Sequence, residues 1–196
     1  MEQQIAFGGD KKLAQQCMAQ AQAHFDADML RAGTYGEGSG KRFKACSIGC
    51  YAHDLGITGD MHGGLAQHYA LPEWLWRLRD SIFEGLPEAE RAPFHVELTA
   101  KLVDCTGKDL APVKHWIAIA RIDRMLATQR KALEADRPNG VHEAIQQVVA
   151  ALEVGRRAHE AAAGGNACDW SAARSAWQSE RDELYAALAR VQGGES

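Results

Sequence analysis

A short segment before residue 55 carries three side chains that could bind a metal ion. Cys46, Cys50 and His53 are spaced i, i+4 and i+7, so on a helix they share one face. Thiolate sulfur and imidazole nitrogen are ligands that zinc takes in tetrahedral geometry. The spacing therefore predicts a helix that supplies part of a zinc site, although the second cysteine pair of the usual structural zinc motifs is missing.

Further candidate ligands lie on both sides of this segment. Asp60 and His62 follow it, while His24 and Asp28 precede it and are four residues apart, which places both on one side of the first predicted helix. A site assembled from several elements would bring these groups together. The candidate metal ligands are His24, Asp28, Cys46, Cys50, His53 and His62.

The same residues allow a second chemistry, in which Cys50 is a nucleophile. His53 or His62 would remove the thiol proton, and Asp60 or Asp28 would fix the imidazole tautomer. The candidate catalytic residues are Cys50, His53, Asp60 and His62. A third interpretation is structural, because cysteine is among the most buried residue types and often only packs. The spacing leaves the three alternatives open.

Two other features bear on a site. Asp80 and Glu84 form an i, i+4 carboxylate pair that could hold a divalent cation, although most such pairs are a solvated helix face. The segment 33–44 is rich in glycine and therefore predicts a loop. This loop could cover a site and attract an anionic substrate through its basic side chains, which are Lys41, Arg42 and Lys44. Nucleotide binding by a glycine-rich motif is excluded, because no strand and helix follow the loop in the required order.

The surrounding pattern is helical, and it predicts an all-α fold. Asp10 is a good N-cap for the first helix, and Gly59, Gly63 and Gly64 are expected to break up the chain after the second. Pro93 is expected to interrupt the fourth. The predicted helices span residues 11–31, 45–55, 72–83, 86–103 and 110–135, followed by two Ala-rich helices between 141 and 192.

This pattern divides the chain into two parts. Residues 1–138 are expected to form an irregular multi-helix core domain that carries the Cys/His-rich segment. Residues 139–196 are expected to form an Ala-rich helical hairpin. The apolar stripe of its second helix is narrow, so the hairpin is expected to pack on the core domain, on a second copy of the chain or on another protein.

Composition excludes several classes of function. The 196 residues include 22 basic and 26 acidic side chains, a net charge of −4, which is too acidic for nonspecific nucleic-acid binding. No apolar run approaches the roughly 20 residues needed to cross a bilayer, so we expect no membrane partner. The 5 cysteines are an odd number in a sequence that does not open with an apolar segment. We therefore expect reduced thiols and a cytoplasmic location.

Several of these residues belong to a longer pattern. It consists of Tyr35-Gly36, Cys46, Gly49-Cys50, His53, Asp60, His62, Leu71-Pro72-Glu73-Trp74-Leu75, Asp80, Ile82-Phe83-Glu84-Gly85-Leu86-Pro87 and Gly107-Lys108-Asp109-Leu110. The pattern resembles a group of uncharacterised bacterial and bacteriophage proteins, in which an Ala-rich helical half follows. His24 and Asp28 also match it, whereas Ala45 stands where the group usually has glycine. The resemblance implies a phage or mobile-element context and a polar site, and it implies no particular reaction.

Two hypotheses of function follow. In the first, the polar residues form the site of a hydrolase, a group-transfer enzyme or a metal-binding protein, with zinc as the candidate metal. In the second, the chain is a phage- or prophage-encoded interaction protein that modulates a host protein, or associates with itself, without catalysis. The Trp-rich helix 72–84 and the narrow-striped tail motivate the second hypothesis.

Overall fold

The chain is all-α, as its periodicity predicts. The structure is a computed structural model that describes residues 3–135 and 140–163, together with residues 181, 182, 184–186, 188, 189 and 193. Isolated β-bridges are its only strand-like pairings within these residues. The helices are α1 (Lys11–Asp26), α2 (Ser47–Leu55), α3 (Met61–Tyr69), α4 (Glu73–Gly85), α5 (Glu88–Asp104), α6 (Ala111–Ala135) and α7 (Gly140–Ala162).

The contacts divide the chain into two compact units. The first unit consists of residues 1–110 and 188–195, and the second of residues 111–187 and 196. The sequence prediction places the division at residue 138, whereas α6 groups with α7 here. None of the described helices is both long enough and apolar enough to cross a membrane.

The described part of the second unit contains a hairpin of α6 and α7. Cross-helix pairs run in opposite order along the two helices, from Arg130–Glu153 through Asp123–Arg156 to His115–His159, so the helices are antiparallel. Residues 138 and 139 of the predicted stop and most of the second Ala-rich helix lie outside the described residues, whereas Gly140 is the first residue of α7.

In the first unit, α1 starts where predicted and ends early. Asp10 caps it, since its carboxylate accepts hydrogen bonds from the backbone N–H of Lys12 and Leu13 at 2.7 and 3.2 Å. The helix ends at Asp26 rather than at residue 31. The chain turns away at Asp28, whose φ of 51° is left-handed and cannot continue an α-helix.

Two expected helix breaks are wrong. Gly63 and Gly64 lie inside α3, which Asp60 caps by accepting a hydrogen bond from the Gly63 N–H at 3.1 Å. A Cβ at Gly64 would lie 2.6 Å from a methyl group of Ile57, so glycine here permits close packing. Helix α5 also runs unbroken through Pro93. Burial of one face of α5 outweighs the missing backbone hydrogen bond of proline.

The core of the first unit combines large apolar side chains with a few polar ones. Its fully buried apolar side chains include Phe7, Ile48, Tyr51, Leu65, Tyr69, Leu75, Trp76, Ile82, Phe83, Phe94 and Leu98. Within the described part of the chain, five polar side chains are buried with them: His24, Ser47, Arg79, His95 and Thr99. Because burying polar groups costs free energy unless they are hydrogen-bonded, these five indicate a specific network.

Candidate metal centre

Three possible ligand atoms converge between α2 and α4. Cys46 precedes α2 as its N-cap, with its sulfur accepting a hydrogen bond from the Gly49 N–H at 3.4 Å, and Asp80 and Glu84 are one turn apart on α4. One sulfur and one oxygen from each carboxylate lie within 4.8 Å of one another. Bonds of about 2.0–2.3 Å at tetrahedral angles place ligand atoms about 3.3–3.8 Å apart, so small side-chain movements would bring these three atoms onto one zinc ion. We call these three residues the metal centre.

The Asp80 carboxylate is held in a fixed orientation. Its Oδ2 accepts a hydrogen bond from the Tyr35 hydroxyl at 2.9 Å and lies 3.1 Å from His62 Nε2. Its Oδ1 is buried and has no hydrogen-bond partner among the described residues. A buried acceptor without a donor costs about 1–3 kcal/mol, and a cation would remove that cost. The donor set thus fits a divalent metal.

The loop before α2 lies against the metal centre. The Gly33 N–H donates to Glu84 Oε2 at 2.8 Å, and the Cys46 N–H donates to the Thr34 carbonyl at 2.7 Å. At Gly49, an added Cβ would lie 2.2 Å from the Tyr35 carbonyl oxygen. The glycine allows the loop to approach α2, which in turn places the Tyr35 hydroxyl on Asp80.

The electrostatics of the centre disfavour further negative charge. Burial raises the pKa of the Cys46 thiol to about 12, and the neighbouring carboxylates of Asp80 and Glu84 add to the shift. The hydrogen bond to Asp80, followed by burial, raises the pKa of Tyr35 to about 12. Without a cation the thiol and the phenol therefore stay protonated at neutral pH, whereas a divalent ion would favour the thiolate.

Cys46 and His62 both lie beside Asp80, whereas Cys50 lies in a different environment. The Cys50 side chain packs with Phe43, Ala45 and Met29, and its thiol lies 3.6 Å from the Ala45 carbonyl. Burial, followed by the charge of Asp54, raises its pKa to about 12. Because the thiolate is the reactive form of cysteine, this environment does not favour a nucleophile.

The other sequence-predicted residues have separate partners. His53 stacks on Phe43 with ring centroids 3.9 Å apart, and its side chain is 50% exposed. Asp60 is the N-cap of α3, as described above. Asp28 forms an ion pair with Lys44 at 2.6 Å. Lys44 is therefore already paired with a carboxylate and is less available to attract an anionic substrate to the loop. Within the described residues, no three of the six candidate ligands have donor atoms within 4.8 Å of one another.

His24 belongs instead to a buried polar network around Arg79. The Arg79 guanidinium donates to Ser47 Oγ at 2.5 Å, to the His95 carbonyl at 2.9 Å and to Thr99 Oγ1 at 3.0 Å. His95 in turn lies 3.2 Å from His24. The guanidinium also sits over an aromatic ring of the core, 4.9 Å from the Tyr51 centroid. We call Ser47, Arg79, His95, Thr99, His24 and Asp54 the buried network.

Sequence reasoning missed most of this network, although a signal was present. Arg79 lies four residues after Leu75 and three before Ile82, which are both buried, so a charged residue stands within the apolar stripe of α4. A charge in such a position requires hydrogen-bonding partners from other helices. His95 and Thr99, four residues apart on α5, supply two of them.

Comparisons with known proteins do not assign a function to the site. No family model, curated protein or solved structure matches the chain. The bacterial and bacteriophage group therefore remains an expectation from the sequence pattern. Any functional assignment depends on the chemistry of the donor atoms and their surroundings.

Proposed function

We propose that the protein binds one zinc-like divalent ion through Cys46, Asp80 and Glu84 and uses it to hydrolyse a substrate. The single observation that carries the proposal is that Asp80, one of the three residues of the metal centre, has a buried Oδ1 with no donor among the described residues. Acidic clusters are common on protein surfaces. A cluster with a buried cysteine and an unsatisfied buried oxygen is not explained by surface solvation.

The number of ligands supports a catalytic rather than a structural metal. Structural zinc sites use four protein ligands, whereas catalytic sites use three and leave the fourth position to water or substrate. Among the residues that the structure describes, the metal centre offers three. Tyr35 and His62 both contact the Asp80 oxygen Oδ2, and such contacts from neighbouring side chains orient metal-bound carboxylates.

Hydrolysis is the reaction class that this arrangement best accommodates. A zinc ion with an open position lowers the pKa of its bound water to about 7 and polarises a carbonyl or phosphoryl oxygen. Tyr35 stays protonated at neutral pH, so its hydroxyl is a donor that could move from Asp80 to a developing negative charge. The Tyr35 side chain is exposed, which gives a substrate access to it.

Zinc binding is tested by equilibrium dialysis with elemental analysis. We expect about one equivalent in the wild type and at least tenfold weaker binding in Cys46→Ser, Asp80→Asn and Glu84→Gln. Glu73→Gln is the matched control, because it removes an exposed carboxylate from the same helix, α4. The proposal fails if the wild type binds no divalent metal, or if the three variants bind as tightly as the control.

Hydrolysis is tested separately on the metal-loaded protein. With p-nitrophenyl acetate and p-nitrophenyl phosphate as probes, we expect zinc-dependent release of nitrophenol that Asp80→Asn abolishes and Glu73→Gln retains. Zinc binding without zinc-dependent turnover of either probe would contradict the hydrolytic half of the proposal and leave a metal-binding protein.

A further inference from the structure

The buried network contains a charge with an unusual environment. Arg79 is 1% exposed and forms no ion pair with a carboxylate among the described residues. Its hydrogen bonds go to neutral acceptors on α2 and α5. An isolated buried charge is strongly unfavourable, so a compensating charge is expected within reach of the network.

The hydrogen bonds of the network fix the tautomer of His95. Its Nδ1 lies 3.1 Å from Arg79 Nη2 and 2.9 Å from Ser47 Oγ. Because a guanidinium can only donate, Nδ1 must be an acceptor. The ring hydrogen is therefore on Nε2, which lies 3.2 Å from His24 Nδ1.

The same logic continues to the edge of the core. Since His95 Nε2 donates, His24 Nδ1 accepts, and the hydrogen of His24 is on Nε2. This nitrogen lies 2.9 Å from Oδ2 of Asp54, whose side chain is 31% exposed. The donors thus point in one direction, from Arg79 through two neutral imidazoles to a carboxylate. Burial lowers the pKa of both histidines, which agrees with neutral rings.

We propose that Asp54, His24 and His95 are positioning residues that hold Arg79 and thereby set the spacing of the metal centre. Asp54 supplies the compensating charge through the two imidazoles. Arg79 binds Ser47, the residue after Cys46, and is itself the residue before Asp80. Its hydrogen bond to Ser47 therefore joins α2 and α4. This bond is one residue away from Cys46 at the start of α2 and one residue away from Asp80 on α4.

This inference rests on the proposed metal site, and its test uses residues that do not touch the metal. Asp54→Ala removes the acceptor at the exposed end of this series of hydrogen bonds, whereas Asp54→Asn keeps an amide oxygen that can accept a hydrogen bond from His24. We expect Asp54→Ala to raise the dissociation constant for zinc about tenfold. Removing a residue that orients metal ligands without touching the metal weakens metal binding by about this factor in other metalloproteins. Asp54→Asn keeps the hydrogen bond from His24 without the negative charge, so it should restore only part of the affinity.

Asp26→Ala is the matched control, because it removes an exposed carboxylate on α1 whose hydrogen-bond partner is Gln22, outside the network. All affinities are measured with a competing chelator at a temperature where every variant is folded. A merely structural role of Asp54 would lower the melting temperature without changing zinc affinity. Equal zinc affinity of Asp54→Ala and the wild type would overturn the proposal.

A second measurement does not require metal. Nitrogen-15 spectra of the metal-free protein at neutral pH should show both His24 and His95 as neutral Nε2–H tautomers, with Asp54→Ala disturbing His24. A Nδ1–H or charged form of either ring in the wild type would overturn the assigned direction of the hydrogen bonds from Arg79 to Asp54. If the tautomers are as expected but the wild type binds no zinc, the proposed function and the coupling to it fail together, while the assigned hydrogen bonds stand.

Discussion

The metal centre and the buried network occupy neighbouring positions on the same two helices, and they differ in how their polar groups are satisfied. Ser47 and Arg79 belong to the network, and Cys46 and Asp80 belong to the centre. The guanidinium of Arg79 has several acceptors and lacks a partner only at Nη1, whereas one oxygen of Asp80 has none. The difference is consistent with a network that joins helices and with the proposal that the centre receives a ligand.

The largest effect on stability is expected when Arg79 of the buried network is replaced. Arg79→Ala leaves a cavity and unbonded groups on Ser47, His95 and Thr99, so we expect the free energy of unfolding to fall by about 3–5 kcal/mol. Urea denaturation followed by circular dichroism measures it. A loss below about 1 kcal/mol would mean that the network does not hold the helices together.

Gly49→Ala tests the metal centre separately from the buried network, because it alters the packing beside the metal centre. The new Cβ would lie 2.2 Å from the Tyr35 carbonyl, so the loop must shift, and we expect a loss of about 1–3 kcal/mol with weaker zinc binding. Gly155→Ala on α7 is the control, since its Cβ would meet only Ile122 at 3.8 Å. That variant should be neutral or stabilised by up to about 1 kcal/mol. Identical behaviour of the two variants would contradict the packing argument.

The pH dependence of stability tests whether the histidines of the buried network are neutral in the folded protein. Because the pKa values of His24 and His95 are lowered on folding, the unfolded chain binds more protons, and stability falls as pH drops below about 6.5. The pKa values of Cys17 and Cys50 are raised to about 11 and 12, so stability also falls above about 8.5.

Melting temperatures measured with chelator present should therefore be highest between about pH 7 and 8 and lower by several degrees at pH 5. The chelator ensures that metal release does not contribute. A flat profile between pH 5 and 7 would show that the two histidines do not titrate on unfolding, and that the network is not held by neutral rings.

The smallest effect is expected outside both regions. The ion pair between Glu73 and Arg77 is 2.5 Å long, but the two side chains are 45% and 58% exposed. Solvent screens exposed pairs of this kind and they contribute little to stability, so Glu73→Gln should leave the melting temperature unchanged within experimental error. Thermal denaturation at low and high salt measures it. A measurable decrease would disqualify this variant as the control for the metal-binding experiments.

Much of the fold follows from local sequence features. Asp10 caps α1 as expected, and α2 ends at the predicted residue 55, where Gly56 is its C-cap. Capping depends on the side chain and backbone of one or two positions. The errors occur where distant packing decides. Gly64 is tolerated in α3 because it packs on Ile57, and Pro93 is tolerated because its helix is buried on one face.

The candidate site was only partly predictable. The sequence drew attention to Cys46, to His62 and to the pair Asp80 and Glu84, and the structure places them together. The spacing grouped Cys46 with Cys50, because residues four apart share a helix face. Cys46 is instead the N-cap, where the backbone is not helical, so its side chain points elsewhere.

By itself, the sequence determined the helical class, the caps and the types of residue available for chemistry, because these depend on periodicity and on local hydrogen bonding. Only the tertiary structure decided which cysteine meets the carboxylates and why Arg79 is buried. Both depend on contacts between α2, α4 and α5. The residues involved are more than a dozen positions apart, and no local pattern in the sequence records which of them will meet.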